Sequence, residues 1–192
     1  MVFLEGLARP LLVVHAILGA ATVATATHLA VWTWKALRGS PRVAGLRWFG
    51  VAVLAVFGTQ FAAGNLLYPT YKVRVRGELF DLPRAVVGEM RVRQEARAEL
   101  LAREGREAAS ESDEEPTGLG RVARLFDVKE HVAALALPFA AAACALALGW
   151  RPERDGPVAG RLLLGCALIV AASAWFAAVV GIVVASYRAV GA

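Results

Sequence analysis

Four stretches of the chain contain no Asp, Glu, Lys or Arg, and all 21 basic and 16 acidic residues lie between or outside them. The stretches cover residues 11–34, 48–67, 132–149 and 162–186, which gives them 24, 20, 18 and 25 residues. A bilayer core of roughly 30 Å needs about 20 helical residues at 1.5 Å each. The helices of a soluble bundle keep a charged face in water, and these stretches have none. Because helices satisfy their own backbone polar groups in lipid, the pattern predicts four transmembrane helices.

The predicted fold is an all-α membrane protein, a four-transmembrane-helix bundle with an extramembrane helical hairpin between helices 2 and 3. The chain divides into transmembrane helices 1 and 2 (residues 1–68), a charged extramembrane helical segment (69–130) and transmembrane helices 3 and 4 (131–192). Arg9 and the apolar run that follows it are also similar to a secretory signal peptide. That run is longer than the roughly 7–15 apolar residues of a signal, which favours an uncleaved first helix over a cleaved signal.

The composition agrees with a membrane protein, because 58% of the residues are hydrophobic, 19% are charged and the mean hydropathy is +0.54. The net charge of +5 comes mostly from one short loop, residues 35–47, which holds four basic residues and no acid. The basic pI therefore gives no support for nucleic-acid binding. Basic loops are cytoplasmic by default, which predicts that residues 35–47 and 150–161 are cytoplasmic in a bacterial-type inner membrane. Basic residues near the helix ends are almost equal in number on the two sides, which leaves the orientation open.

The connection between helices 2 and 3 is long and nearly neutral, with 12 basic and 13 acidic residues. Helical spacing predicts a helix over residues 84–109, with i,i+4 ion pairs such as Glu99–Arg103. An acidic linker that contains Pro and Gly follows at 110–118. The segment is either a docking surface for a partner protein or a solvated helical hairpin without a specific role.

The start of this connection has a different pattern. Residues 71–76 alternate between apolar and basic side chains after Tyr71. If the segment is extended, Val73 and Val75 lie on one face and the three basic side chains on the other.

Sequence signatures of common enzyme classes are absent. The chain has no internal repeat, no Gly-rich phosphate loop, and no G-x-S-x-G, H-E-x-x-H or C-x-x-C motif. Enzymes of those classes are not supported, and no catalytic residue is predicted.

Polar residues of three predicted helices lie at a similar depth, near the membrane face that carries both termini. Helices 1, 2 and 3 alternate in direction, so the start of helix 1, the end of helix 2 and the start of helix 3 meet at this face. Polar groups in hydrocarbon are expensive and indicate function by default. The residues that meet there are His15, Gln60, Asn65, Tyr68, Tyr71, Glu130 and His131.

This set fits three interpretations. His15 and His131 could ligate a b-type haem from both sides, with carboxylate or amide neighbours fixing the ring tautomers. A quinone site would use His or Tyr to hydrogen-bond the carbonyl oxygens and Glu130 to take a proton. In the third interpretation His131 lies among lipid headgroups, and His15 hydrogen-bonds Gln60 or Asn65 as part of helix packing.

A second group of residues lies nearer the other face. His28, Cys144 and Cys166 share a similar depth, and a His/Cys/Cys set suits a soft metal ion. The two cysteines could instead form a disulfide, or all three residues could serve only in helix packing.

The sequence favours a polytopic integral membrane protein that acts as an accessory or structural subunit. It would contact the lipid bilayer and dock a larger membrane protein complex through residues 69–130. The alternative is an electron-transfer protein that binds haem b or a quinone through His15 and His131. In outline the architecture is similar to small cytochrome b-type membrane anchors, without a motif specific to that family. Transport ranks last, because the polar residues form two shallow clusters rather than a path across the bilayer.

Overall fold

Four long helices make up most of the described chain: α1 (Ala8–Leu37), α2 (Val43–Thr70), α3 (Gly118–Gly149) and α4 (Pro152–Tyr187). Each helix contains one of the four charge-free stretches, which confirms the predicted order of elements. A computed structural model describes residues 5–40, 42–80 and 118–187, and also short helical pieces within residues 91–103. No strand occurs among these described residues.

All four helices are long and apolar enough to cross a membrane. The candidate spans are Glu5–Leu37, Val43–Gly77, Arg121–Gly149 and Pro152–Ser186. Their mean hydropathies run from 1.5 to 2.5, and each helix is longer than the roughly 20 residues that a bilayer core requires. These four spans fit an integral membrane location.

The helices form a closed ring in which α1 packs on α2, α2 on α3, α3 on α4, and α4 on α1. Helices α1 and α3 therefore lie diagonally opposite one another. Small residues let the helices approach closely, as in membrane bundles generally. Gly50 of α2 shows how close, because a Cβ atom at this position would lie 2.6 Å from the Cβ of Ala147 in α3. The alanines that α3 buries in this core are Ala136, Ala140, Ala143 and Ala147.

Helix α2 continues past Pro69 into a π-helical extension, Tyr71–Phe80. The extended, alternating conformation considered for residues 71–76 is therefore wrong. Alternation would bury Val73 together with Val75, but Val73 is 47% exposed and Val75 only 1%. Tyr71 and Val75 are instead buried four residues apart on one helical face, which packs on α3 and α4. Burial of this face favours helix over strand.

Most of the predicted hairpin lies outside the described residues. That includes the linker at 110–117 and the ends of the helix expected over 84–109. The helical pieces that are described contain the predicted i,i+4 pair, since Arg103 Nη2 lies 2.7 Å from Glu99 Oε1. A similar pair joins Arg91 and Glu95 at 2.9 Å.

A break in α4 organises the connection from α3. Gly156 has a φ of +70°, a conformation that glycine adopts without strain, and the straight part of α4 starts at the following Pro157. The indole N–H of Trp150 donates a hydrogen bond to the carbonyl oxygen of Gly156 at 3.0 Å. The ring of Trp150 is buried against Gly160 and Leu37, where α1 ends. Trp150 thereby connects the loop between α3 and α4 to the end of α1.

Candidate functional site

A cavity of about 440 Å³ opens where α1 begins and α2 ends, which we call the cavity end of the bundle. It brings together all seven polar residues that the sequence placed at one depth: His15, Gln60, Asn65, Tyr68, Tyr71, Glu130 and His131. Apart from Gly64 and Lys129, the rest of the wall consists of phenylalanine, leucine and alanine side chains from all four helices. They are Leu12, Phe57, Phe61, Leu67, Phe126, Ala133, Ala134, Ala174 and Ala177.

His15 enters the cavity from α1 in a fixed orientation. Its Nδ1 lies 3.1 Å from the main-chain oxygen of Gln60 in α2. A carbonyl oxygen can only accept, so Nδ1 carries the proton and Nε2 of the neutral ring keeps its lone pair. Gly64 makes room for the ring, because a Cβ atom there would lie 3.1 Å from Cε1 of His15. Gly19 makes room for the side-chain amide of Gln60, because a Cβ atom on Gly19 would lie 3.0 Å from Nε2 of Gln60.

His131 reaches the cavity from α3, the helix that lies diagonally opposite α1. Its Nδ1 lies 2.7 Å from the main-chain oxygen of Asp127, one turn earlier in the same helix. In a neutral ring, this hydrogen bond leaves Nε2 as the nitrogen without a proton. The ring is more exposed than that of His15. The two imidazoles thus come from diagonally opposite helices, and each places Nδ1 against a main-chain oxygen.

Lys129 is a cavity residue that the sequence analysis missed, because it was counted only as a loop charge. Its Nζ lies 5.1 Å from the ring centre of Phe126, and a Cβ atom at Gly181 of α4 would lie 3.8 Å from it. Within the described part of the chain, no hydrogen bond or ion pair involves this ammonium group. The signal was available, since positions 126, 129, 130 and 133 share one helical face that starts from Phe126.

An aromatic stack covers the cavity at the π-helical extension. The Tyr71 and Phe126 rings lie 3.7 Å apart, nearly parallel at 17°, and Tyr68 is 6.5 Å from Tyr71. Arg76 of the extension pairs with Asp127 of α3, with 2.6 Å between Nη1 and Oδ1. The extension is thereby tied to α3 directly beside the cavity.

Asn65 lies at the rim of the cavity rather than inside it. Its side chain is exposed, and its Nδ2 donates to the main-chain oxygen of Phe61 at 3.0 Å. Asn65 therefore satisfies one donor within its own helix. Gln60 is half-buried, and its main-chain oxygen accepts the hydrogen bond from Nδ1 of His15.

The structure does not bring His28, Cys144 and Cys166 together as a metal site. Nδ1 of His28 donates to the main-chain oxygen of Ala24 at 2.8 Å, and the ring stacks on Phe49 at 5.4 Å. Both cysteines are free thiols, with Cys144 buried and Cys166 half-buried. Among the described residues, no three His, Cys, Asp or Glu side chains lie close enough to hold a metal ion.

Comparison with known proteins assigns no family. A scan against protein-family models finds no match, and searches of curated proteins and of solved structures find no significant match.

Proposed function

We propose that this integral membrane protein binds a membrane-borne quinone in the cavity. The observation that carries the proposal is the distribution of polar groups around an otherwise apolar chamber. His15 lies on one wall, and Lys129, Glu130 and His131 lie on the diagonally opposite wall. A quinone ring has oxygens at both ends, so it can be hydrogen-bonded from two opposite helices.

The charges of the cavity favour a neutral headgroup. Lys129 and Glu130 place an ammonium and a carboxylate side by side on α3. An acidic amphiphile would be attracted by the ammonium group and repelled by the carboxylate. A cationic amphiphile would be attracted by the carboxylate and repelled by the ammonium group. A quinone carbonyl accepts from the Lys129 ammonium, and a quinol hydroxyl donates to the free Nε2 of His15. The same walls can therefore bind both forms.

The size and lining of the cavity fit an apolar ligand with few polar atoms. A volume of about 440 Å³ lies within the range of roughly 300–1,000 Å³ that is typical of small-molecule sites. Tyr68, Tyr71 and Phe126 add aromatic rings to the wall of the cavity, which suits an apolar ring system. Glu130 and His15 are groups that can exchange a proton with a quinol oxygen.

Haem b is a second candidate, favoured by one specific observation. His15 and His131 each donate Nδ1–H to a main-chain carbonyl, which is the arrangement that leaves Nε2 for a metal ion. Both residues line the cavity from diagonally opposite helices and would hold the haem iron through Nε2. A haem held there would supply one-electron transfer, and Lys129 would provide a cation for a propionate.

Docking of a partner complex through residues 69–130 remains a proposal from the charge pattern of that segment. Residues 81–90 and 104–117 lie outside the described part of the chain. Deleting residues 99–115 is expected to spare membrane insertion and to remove co-purifying proteins. An unchanged set of co-purifying proteins would reject docking through this segment.

The quinone proposal is tested by equilibrium binding of radiolabelled decylubiquinone to the protein in nanodiscs, with binding to empty nanodiscs subtracted. We expect saturable binding by the unaltered chain. Lys129→Met removes a hydrogen bond from a charged group, roughly 1.5–3 kcal/mol, and is expected to weaken binding about 10–100-fold. Lys72→Met is the matched control, because Lys72 lies on the same end of the bundle but outside the cavity wall.

Two results would overturn the proposal. The first is the absence of saturable binding above empty nanodiscs. The second is an equal loss of affinity in Lys129→Met and Lys72→Met, which would mean that surface charge and not the cavity governs uptake. The haem candidate is separated by a reduced-minus-oxidised visible spectrum of protein expressed with haem. A b-type band lost in both His15→Ala and His131→Ala supports haem, and a flat spectrum rejects it.

A further inference from the structure

The end of the bundle opposite the cavity, where α1 ends and α2 begins, concentrates positive charge on tryptophan rings. The guanidinium of Arg38 lies 4.1 Å from the ring centre of Trp34. Arg42 lies 5.2 Å and Lys35 lies 5.4 Å from the ring centre of Trp32. We call these five residues the basic–aromatic patch.

The patch gathers like charges without an acid to neutralise them. Lys35 and Arg42 share one ring, so their charged groups lie within about 11 Å of each other. Over the residues that the structure describes, no carboxylate forms an ion pair with Lys35, Arg38 or Arg42. Like charges at this separation repel, and an anion between them would relieve the repulsion.

The stacked geometry favours a phosphate as that anion. A guanidinium that lies against an aromatic face keeps the N–H groups of its edge free, and that edge matches phosphate oxygens. Tryptophan rings at helix ends lie at the level of lipid headgroups. The three cations are therefore presented at the depth where the phosphates of the bilayer lie.

We propose that the basic–aromatic patch is a binding site for an anionic phospholipid, which places its phosphate against Lys35 and Arg42 beside Trp32, while Arg38 beside Trp34 adds positive charge at the same end of the bundle. A zwitterionic lipid is disfavoured, because its choline or ethanolamine group would bring another cation to an already positive surface. Basic pockets at the ends of transmembrane helices bind acidic headgroups by this chemistry. The site is independent of the cavity and of any ligand bound there.

Native mass spectrometry of the full chain in detergent, with added phosphatidylglycerol or phosphatidylcholine, tests the site. We expect retained phosphatidylglycerol adducts and few phosphatidylcholine adducts. Each cation near a lipid surface contributes about fivefold to binding, so Lys35→Gln with Arg42→Gln is expected to weaken retention about 30-fold. Both side chains are exposed, and the melting temperature of the variant checks that the fold persists.

The control variant removes two cations from the other loop at the same end. Arg151→Gln with Arg154→Gln causes the same change in net charge, but Arg154 already pairs with Asp155 at 3.0 Å. Retention close to that of the unaltered chain is expected for this control. An equal loss in both double variants, or equal retention of the two lipids, would overturn the proposal. Displacement of the lipid by millimolar inorganic phosphate would show a general anion site and would also overturn it.

Discussion

Replacing Gly64 by alanine tests whether the position of His15 controls the cavity. Gly64 faces the imidazole across the α1–α2 interface, and an added Cβ atom would lie 3.1 Å from Cε1 and 3.6 Å from Nδ1. This is closer than side chains normally pack, so the ring has to move by a few tenths of an ångström. The bond from Nδ1 to the main-chain oxygen of Gln60 is already 3.1 Å long, and such a shift weakens it.

The expected magnitude follows from two opposing effects. Alanine stabilises a helix interior by roughly 0.5–1 kcal/mol relative to glycine. Loss of the His15 hydrogen bond costs about 0.5–1.5 kcal/mol. Gly58→Ala supplies the control, because Gly58 lies in the same helix and an added Cβ atom would meet nothing within 4 Å. The difference between the two variants isolates the effect on His15, about 1 kcal/mol.

Thermal unfolding in detergent and decylubiquinone binding in nanodiscs measure the two consequences. For a chain of this size 1 kcal/mol corresponds to about 2–4 °C, so Gly64→Ala is expected to melt that much below Gly58→Ala. Its quinone affinity is expected to fall as well, because the displaced ring no longer presents Nε2 to the ligand in the same position. Equal melting temperatures and equal quinone affinities for the two variants would refute the control of the cavity by the position of His15.

Two further predictions concern the packing around the site. Gly50→Ala places a Cβ atom 2.6 Å from the Cβ of Ala147, and overpacking of this kind costs about 1–3 kcal/mol, so its melting temperature is expected to fall below that of Gly58→Ala. An equal melting temperature would contradict the close approach of α2 and α3. Phe126→Leu removes the ring that stacks on Tyr71 at 3.7 Å. Loss of this aromatic pair is expected to lower the free energy of unfolding by about 0.5–1.5 kcal/mol. Unfolding at the unaltered temperature would show that the stack does not stabilise the bundle.

The helices could be predicted from the sequence because their charge pattern is sharp. Residues 48–67 and 162–186 carry no charge, and α2 and α4 contain them entirely. The order in which the helices pack could not be predicted. A helix that is apolar on every side gives no signal of which face meets a neighbour, and the diagonal arrangement of α1 and α3 appears only in three dimensions.

The residues of the candidate site could be predicted where their depth in the membrane was enough to bring them together. His15 and Glu130 were placed in one layer by counting residues from the helix ends, and both line the cavity. Lys129 was overlooked because a lysine next to an acidic residue at a helix end resembles a solvated charge. The extension from Tyr71 was misread because alternating valines mimic a strand, whereas burial against α3 and α4 makes it helical.

Photolabelling with a radiolabelled azidoquinone tests the central claim, that the cavity binds a quinone, most directly. The protein in nanodiscs is irradiated, digested and mapped by mass spectrometry, with and without excess decylubiquinone. We predict label on the α3 segment that contains Lys129 and Glu130 or on the α1 segment that contains His15, and loss of that label under competition. Label confined to lipid-facing side chains such as Ile182, unchanged by the competitor, would contradict the account.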